Sequence, residues 1–208
     1  MLDINKEIDQ EIDFYEEPEA TFSMHPKKFA LWLFILSIVM IFASLTSAYI
    51  VKQSEGDWFT FQLPEILTIS SFIIVASSVT VQWAFWSAKK NQLLQTKIGL
   101  FITTLLGFAF LYTQWLGWGD LVQRGIFMGG VDLSGEAVHP AGSFVYVLMG
   151  VHAFHLITGL IFIVLVTFAT FRYEVHSKAL VRIEMSTIYW HFLGGVWLYL
   201  FLFLLLNR

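Results

Sequence analysis

The stretch that decides the fold runs from Gly142 to Phe171: GSFVYVLMGVHAFHLITGLIFIVLVTFATF. It holds no Asp, Glu, Lys or Arg, and its polar interest lies in His152 and His155. A helix rises about 1.5 Å per residue, so this stretch exceeds the roughly 30 Å hydrocarbon core of a bilayer and must tilt or emerge at its ends. Four further charge-free stretches of spanning length accompany it: Phe29–Val51, Ile66–Ala88, Ile98–Gly119 and Met185–Leu206. With 57% apolar, 17% aromatic and only 13% charged residues, the chain is excluded from the ordinary soluble classes. The expectation is an all-α, polytopic membrane protein, an antiparallel bundle of five transmembrane helices within residues 25–208.

The basic residues set the expected orientation. With the N-terminus inside, Lys6, Lys27, Lys28, Lys89, Lys90, Lys97, Arg172, Lys178 and Arg182 fall on that side, against Lys52, Arg124 and Arg208 outside. This is a positive-inside bias, and it predicts N-in, C-out. Residues 1–24 form an acidic cytoplasmic arm carrying Asp3, Glu7, Asp9, Glu11, Asp13, Glu16, Glu17 and Glu19. Acids stand where a cleavable signal needs a basic region, and there is no apolar core to the segment. The arm reads either as a solvated tail or as a docking arm for a neighbouring subunit, since Leu2, Ile4, Ile8, Ile12 and Phe14 recur at roughly helical spacing.

Cysteine is absent from the sequence, which removes disulfides, thiolate zinc, cysteine-held iron–sulfur clusters and thiolate-bridged copper. No phosphate-binding or nucleophile-elbow motif occurs, and no basic patch interleaved with aromatics points to nucleic acid. The connections read as an outer loop Val51–Glu65, an inner loop Lys89–Lys97, a glycine-rich outer loop Asp120–Ala141, and an inner loop Tyr173–Glu184 containing His176.

Polar groups inside the spans mark where the chain works. His152 and His155 share a helix face about 4.5 Å apart along the axis, and antiparallel packing could bring His155 near His191. One reading makes the three histidines haem or metal ligands; another makes them interhelical hydrogen-bonding groups, with Thr158 a suitable partner; a third, proton handling, lacks the usual carboxylates. Gly150 and Gly159 flank the pair and Gly194 and Gly195 follow His191, small residues that let helices approach. Gln82 and Gln114 read as members of local hydrogen-bond networks. Trp83, Trp86, Trp115 and Trp118 read as an interfacial belt.

Gly150-Val-His152-Ala-Phe-His155-Leu-Ile-Thr-Gly159 resembles the G-x-H-x-x-H-x-x-x-G helix of haem–copper oxidase subunit III, as in cytochrome c oxidase. Tyr189-Trp190-His191-Phe192 followed by Val196-Trp197-Leu198 resembles that subunit's last helix, with Glu184 where the family has an acid. Trp32-Leu33-Phe34, Ser77-Ser78, Gln114 and Trp118 extend the resemblance over Pro26 to Leu206. It is to the short five-helix form found in bacteria, which implies a multi-pass protein of the bacterial plasma membrane. Three carboxylate positions of many members are occupied here by Ile38, Gly117 and Gly194.

The resemblance implies an accessory, non-catalytic subunit of an aerobic respiratory complex that oxidises cytochrome c or quinol. Haem and copper then belong to partner subunits I and II, and this chain holds no catalytic residue, metal or cofactor beyond structural phospholipid. It stabilises subunit I, the proton-uptake surface and bound lipid. A small subunit IV or a larger respiratory assembly are further partners. Arg172 resembles the family's lipid-headgroup arginine, with His155 and His176 as further candidates. His152, His191, Glu184 and Gln114 complete the expected polar network. The alternative is a histidine-ligated b-type haem or quinone-reactive membrane anchor.

Overall fold

The computed structural model describes residues 26–54, 63–126, 129, 140–172 and 177–207. The arm at 1–24 and His176 lie outside the described residues. Within them all regular structure is helical: α1 (Pro26–Ser54), α2 (Glu65–Lys89), α3 (Leu93–Gln123), α4 (Pro140–Arg172) and α5 (Ser177–Leu206). All five are long and apolar enough to cross a membrane. Each expected span is contained in one helix, and the helices overrun it. The segment Tyr173–Glu184, read as a loop, is helical from Ser177 onward, because charged residues at a helix end are solvated beyond the hydrocarbon and need not end the helix.

α4 and α5 form the centre. α1 packs on both of them, α2 packs on α5 and α3, and α3 packs on α4; α1 and α2 do not meet among the described residues. Direction is set by end-to-end contacts. Lys28 and Glu184, both near helix starts, are 2.7 Å apart, and at the far end the Tyr49 hydroxyl donates to the Asn207 carbonyl at 2.9 Å, so α1 and α5 run parallel. Tyr49 also stands against Phe144 near the start of α4, which makes α4 antiparallel to both.

The α2–α3 turn is made by Lys90–Gln92. Asn91 takes a left-handed φ of 55°, a conformation Asn tolerates better than most residues, and the Gln92 N–H donates back to the Ser87 carbonyl at 2.9 Å. Just beyond it, a Cβ on Gly99 would lie 2.8 Å from the Ala84 Cβ and 3.1 Å from its Cα, so the two backbones are in contact there. At the other end, Tyr146 donates to the Ile126 carbonyl and Ser143 accepts from the Gly129 N–H, tying the α3–α4 connection to the first turns of α4.

Burial does not sort residues by polarity as it does in a soluble protein. Phe72, Trp115 and Leu206 are exposed, whereas Ser70, Ser77, Thr96 and Thr103 are buried. Lipid tails are as apolar as leucine, so burying leucine against another helix gains little; close packing and interhelical hydrogen bonds do the holding.

Candidate functional site

The polar groups inside the bundle fall into three places. The first is the seam between α2 and α5. Ser70, Ser71, Ser77 and Ser78 recur at seven-residue spacing on α2, as do Trp190 and Trp197 on α5, so each set stays on one face. The indole of Trp190 donates to Ser77 Oγ at 2.9 Å and that of Trp197 to Ser71 Oγ at 3.0 Å, two rungs in antiparallel order. Gln114 of α3 joins them by donating from Nε2 to Ser70 Oγ at 2.9 Å. Thr80 and Thr103 form a further α2–α3 bond of 2.8 Å. Ser70, Ser71 and Ser77 also bond carbonyls of their own helix and so are satisfied twice. Gly107 lies under the Trp190 ring: a Cβ there would be 2.7 Å from Leu160 Cδ1 and 3.0 Å from the indole.

The second place is the junction of α1, α3, α4 and α5 around His152. Its ring lies 6.3 Å from that of Phe42, 6.4 Å from Phe110 and 5.5 Å from Trp197. It is 1% exposed, and neither ring nitrogen has a hydrogen-bond partner among the described residues. His155, one turn on, is held differently. Its Nδ1 lies 2.8 Å from the Val151 carbonyl, and its ring rests against Phe34, Phe42 and Phe154. Thr158 does not reach a histidine ring; it donates to the His155 carbonyl at 2.6 Å and pairs with the Tyr189 hydroxyl at 3.0 Å.

The third is a groove of about 700 Å³ between α2 and α5, bordered by Ile74, Ser78, Gln82, Trp86, His191 and Gly195. There His191 Nε2 and Gln82 Oε1 are 3.0 Å apart. His155 therefore engages its own helix and α1, while His191 engages α2, and the two histidines belong to separate sites. Among the described residues, no three side chains of the metal-binding types converge.

The remaining candidates divide by position. Glu184 pairs with Lys28 across the start of α5 and α1. Arg172 is the last residue of α4 and is exposed. A Cβ on Gly159 would stand 2.6 Å from Leu193 Cδ1 and one on Gly194 3.3 Å from Ser78 Oγ, whereas Gly150 and Gly195 border open space. Sequence reasoning missed the α2 serines as indole acceptors and Gly99 and Gly107 as contact points; the seven-residue recurrence of Ser and Trp was the available signal. Trp118, read as interfacial, has its indole nitrogen buried and without a partner.

Comparison with known proteins places this geometry. The chain is 28% identical over 180 residues to the cytochrome bo(3) ubiquinol oxidase subunit 3 of Buchnera aphidicola subsp. Baizongia pistaciae, covering 84% of this chain and 88% of that one. It is 24% identical over 190 residues to the cytochrome c oxidase subunit 3 of Bacillus sp. strain PS3, covering 89% and 87%. Against the cytochrome c oxidase subunit 3 of Gadus morhua it is 28% identical, covering 84% of this chain but 67% of that one. The family model for cytochrome c oxidase subunit III matches residues 1–207, and the chain, a five-helix bundle with its histidines and tryptophans in these places, belongs to that family.

Proposed function

We propose that this chain is the accessory subunit III of a bacterial haem–copper terminal oxidase in the plasma membrane, packing against subunit I in a complex that also holds subunit II. The family match along the chain carries the reading. In this role the bundle braces the catalytic subunit, its proton-uptake surface and its lipids, while haem, copper and the reduction of O₂ to water belong to the partners. The histidine contacts support it: His155 is spent on the Val151 carbonyl of its own helix, and His191 on Gln82, a bond that ties α5 to α2. The relatives include subunits of both ubiquinol and cytochrome c oxidases, so the donor follows from the partner subunits.

Lipid contact in this reading falls to Arg172, exposed where α4 reaches the headgroup layer, rather than to the buried His155. Replacing Arg172 with Ala should lower the phospholipid retained by the purified complex, as counted by mass spectrometry. The central test is a reduced-minus-oxidised spectrum of the tagged chain with its partners and again after separation. Haem in the complex and none in the isolated chain is expected; haem that stays with the isolated chain would overturn the assignment and make the histidines ligands.

A further inference from the structure

One end of the bundle carries a ring of cations with at least one on every helix. It is the end where α1, α3 and α5 begin and α2 and α4 finish, and the ring comprises Lys28, Lys89, Lys90, Lys97, Arg172 and Arg182. Inside it, Ala84, Phe85, Ala88, Leu100, Val166 and Ile183 form one apolar cluster that draws four of the helices together. Two of the lysines lie over aromatic rings: Lys89 Nζ stands 4.6 Å from the centre of the Phe85 ring, a member of that cluster, and Lys97 Nζ 5.6 Å from that of the exposed Phe171. Lys90 and Arg182 are exposed. Among the described residues at this end, the one acid is Glu184, bonded to Lys28. Among the described residues the opposite end carries Glu65 and Asp120 against Lys52 and Arg124, the last paired with Asp120 at 2.9 Å.

Joined to this ring at Pro26 is the most acidic part of the chain, eight Asp and Glu against Lys6 within residues 1–24. We propose that this arm docks on the chain's own cation ring, with its carboxylates facing Lys89, Lys90, Lys97 and Arg182. Reach is no obstacle. An extended segment of this length spans up to about 80 Å, against roughly 30 Å across a bundle of helices spaced 8–10 Å apart. Tethering at the rim holds the carboxylates at an effective concentration in the millimolar range, which favours many weak, screened contacts over any single strong one. The docked arm covers cations that otherwise attract anionic headgroups or an acidic surface of a neighbour.

Coupling with a zero-length carbodiimide reads the contact directly, because an amide forms only where a carboxylate and a lysine amine touch. The complete, natively purified complex is coupled at low ionic strength and its peptides are mapped by mass spectrometry. Links from the arm to Lys89, Lys90 or Lys97 are expected, and they should fall by about tenfold in 1 M salt, where the Debye length is about 3 Å. Links to lysines of another subunit in their place, or an arm that links only to its sequence neighbours Lys27 and Lys28, would overturn the proposal. As a second readout, changing the eight acids to Asn or Gln should raise the anionic phospholipid retained by the complex; an unchanged lipid count would also overturn it.

Discussion

The α2–α5 seam and the His152 junction are equally buried, yet they handle polarity in opposite ways. In the seam each indole N–H has a serine, and Ser71 and Ser77 each bond a carbonyl of their own helix as well. At the junction a histidine sits among Phe42, Phe110 and Trp197 with neither ring nitrogen bonded. Hydrocarbon offers no substitute for a missing partner, so the seam binds helices and fixes their register, while the junction costs stability at a group the bundle does not need for cohesion. The two regions teach where to look: the bonded seam reports architecture, and the unbonded histidine at the junction reports a demand from outside packing.

The contrast breaks most readily at Trp190. Trp190→Ala removes both the largest seam side chain and a rung, and is expected to cost about 3–5 kcal/mol in unfolding measured in mild detergent; a loss below about 1 kcal/mol would mean the seam is not what holds α5. Gly107→Val drives a side chain into the Trp190 ring and Leu160, and should cost about 1–3 kcal/mol, read as a lowered midpoint of thermal unfolding. Ser77→Ala leaves the indole N–H orphaned with little change in shape. About 0.6–1.7 kcal/mol is expected, and a double-mutant cycle with Trp190→Phe should recover most of it as coupling. His152→Leu is the smallest effect and the sharpest discriminator: stability should stay within about 1 kcal/mol of the parent or rise, since two unpartnered nitrogens are removed. A clear loss there would show that His152 bonds something in the assembled complex and that the contrast belongs to the isolated chain.

Much of this molecule was legible early because a bilayer imposes one rule on every residue: runs without charge must span it. Each of the five spans came from that rule alone. Gln82 and Gln114 read correctly as members of polar networks, since an amide in hydrocarbon must bond something. Individual partners were not legible. Thr158 stood close enough in sequence to serve a histidine ring, but helix rotation turns it to Tyr189 and a backbone carbonyl. The four glycines near the histidines looked alike, and only the neighbours separate Gly159 and Gly194, which meet side chains, from Gly150 and Gly195, which do not.

By itself, then, the sequence determined the solvent in which this protein folds, its five apolar spans and the family to which its histidine and tryptophan motifs point, because hydropathy and spacing are properties of the chain taken in order. The tertiary structure decided that His155 and His191 serve separate sites, that α2 serines receive the α5 indoles, and that Gly107 lies under the Trp190 ring. Those relations join residues far apart in the chain, and they depend on helix rotation and depth, which close packing sets and linear order does not encode.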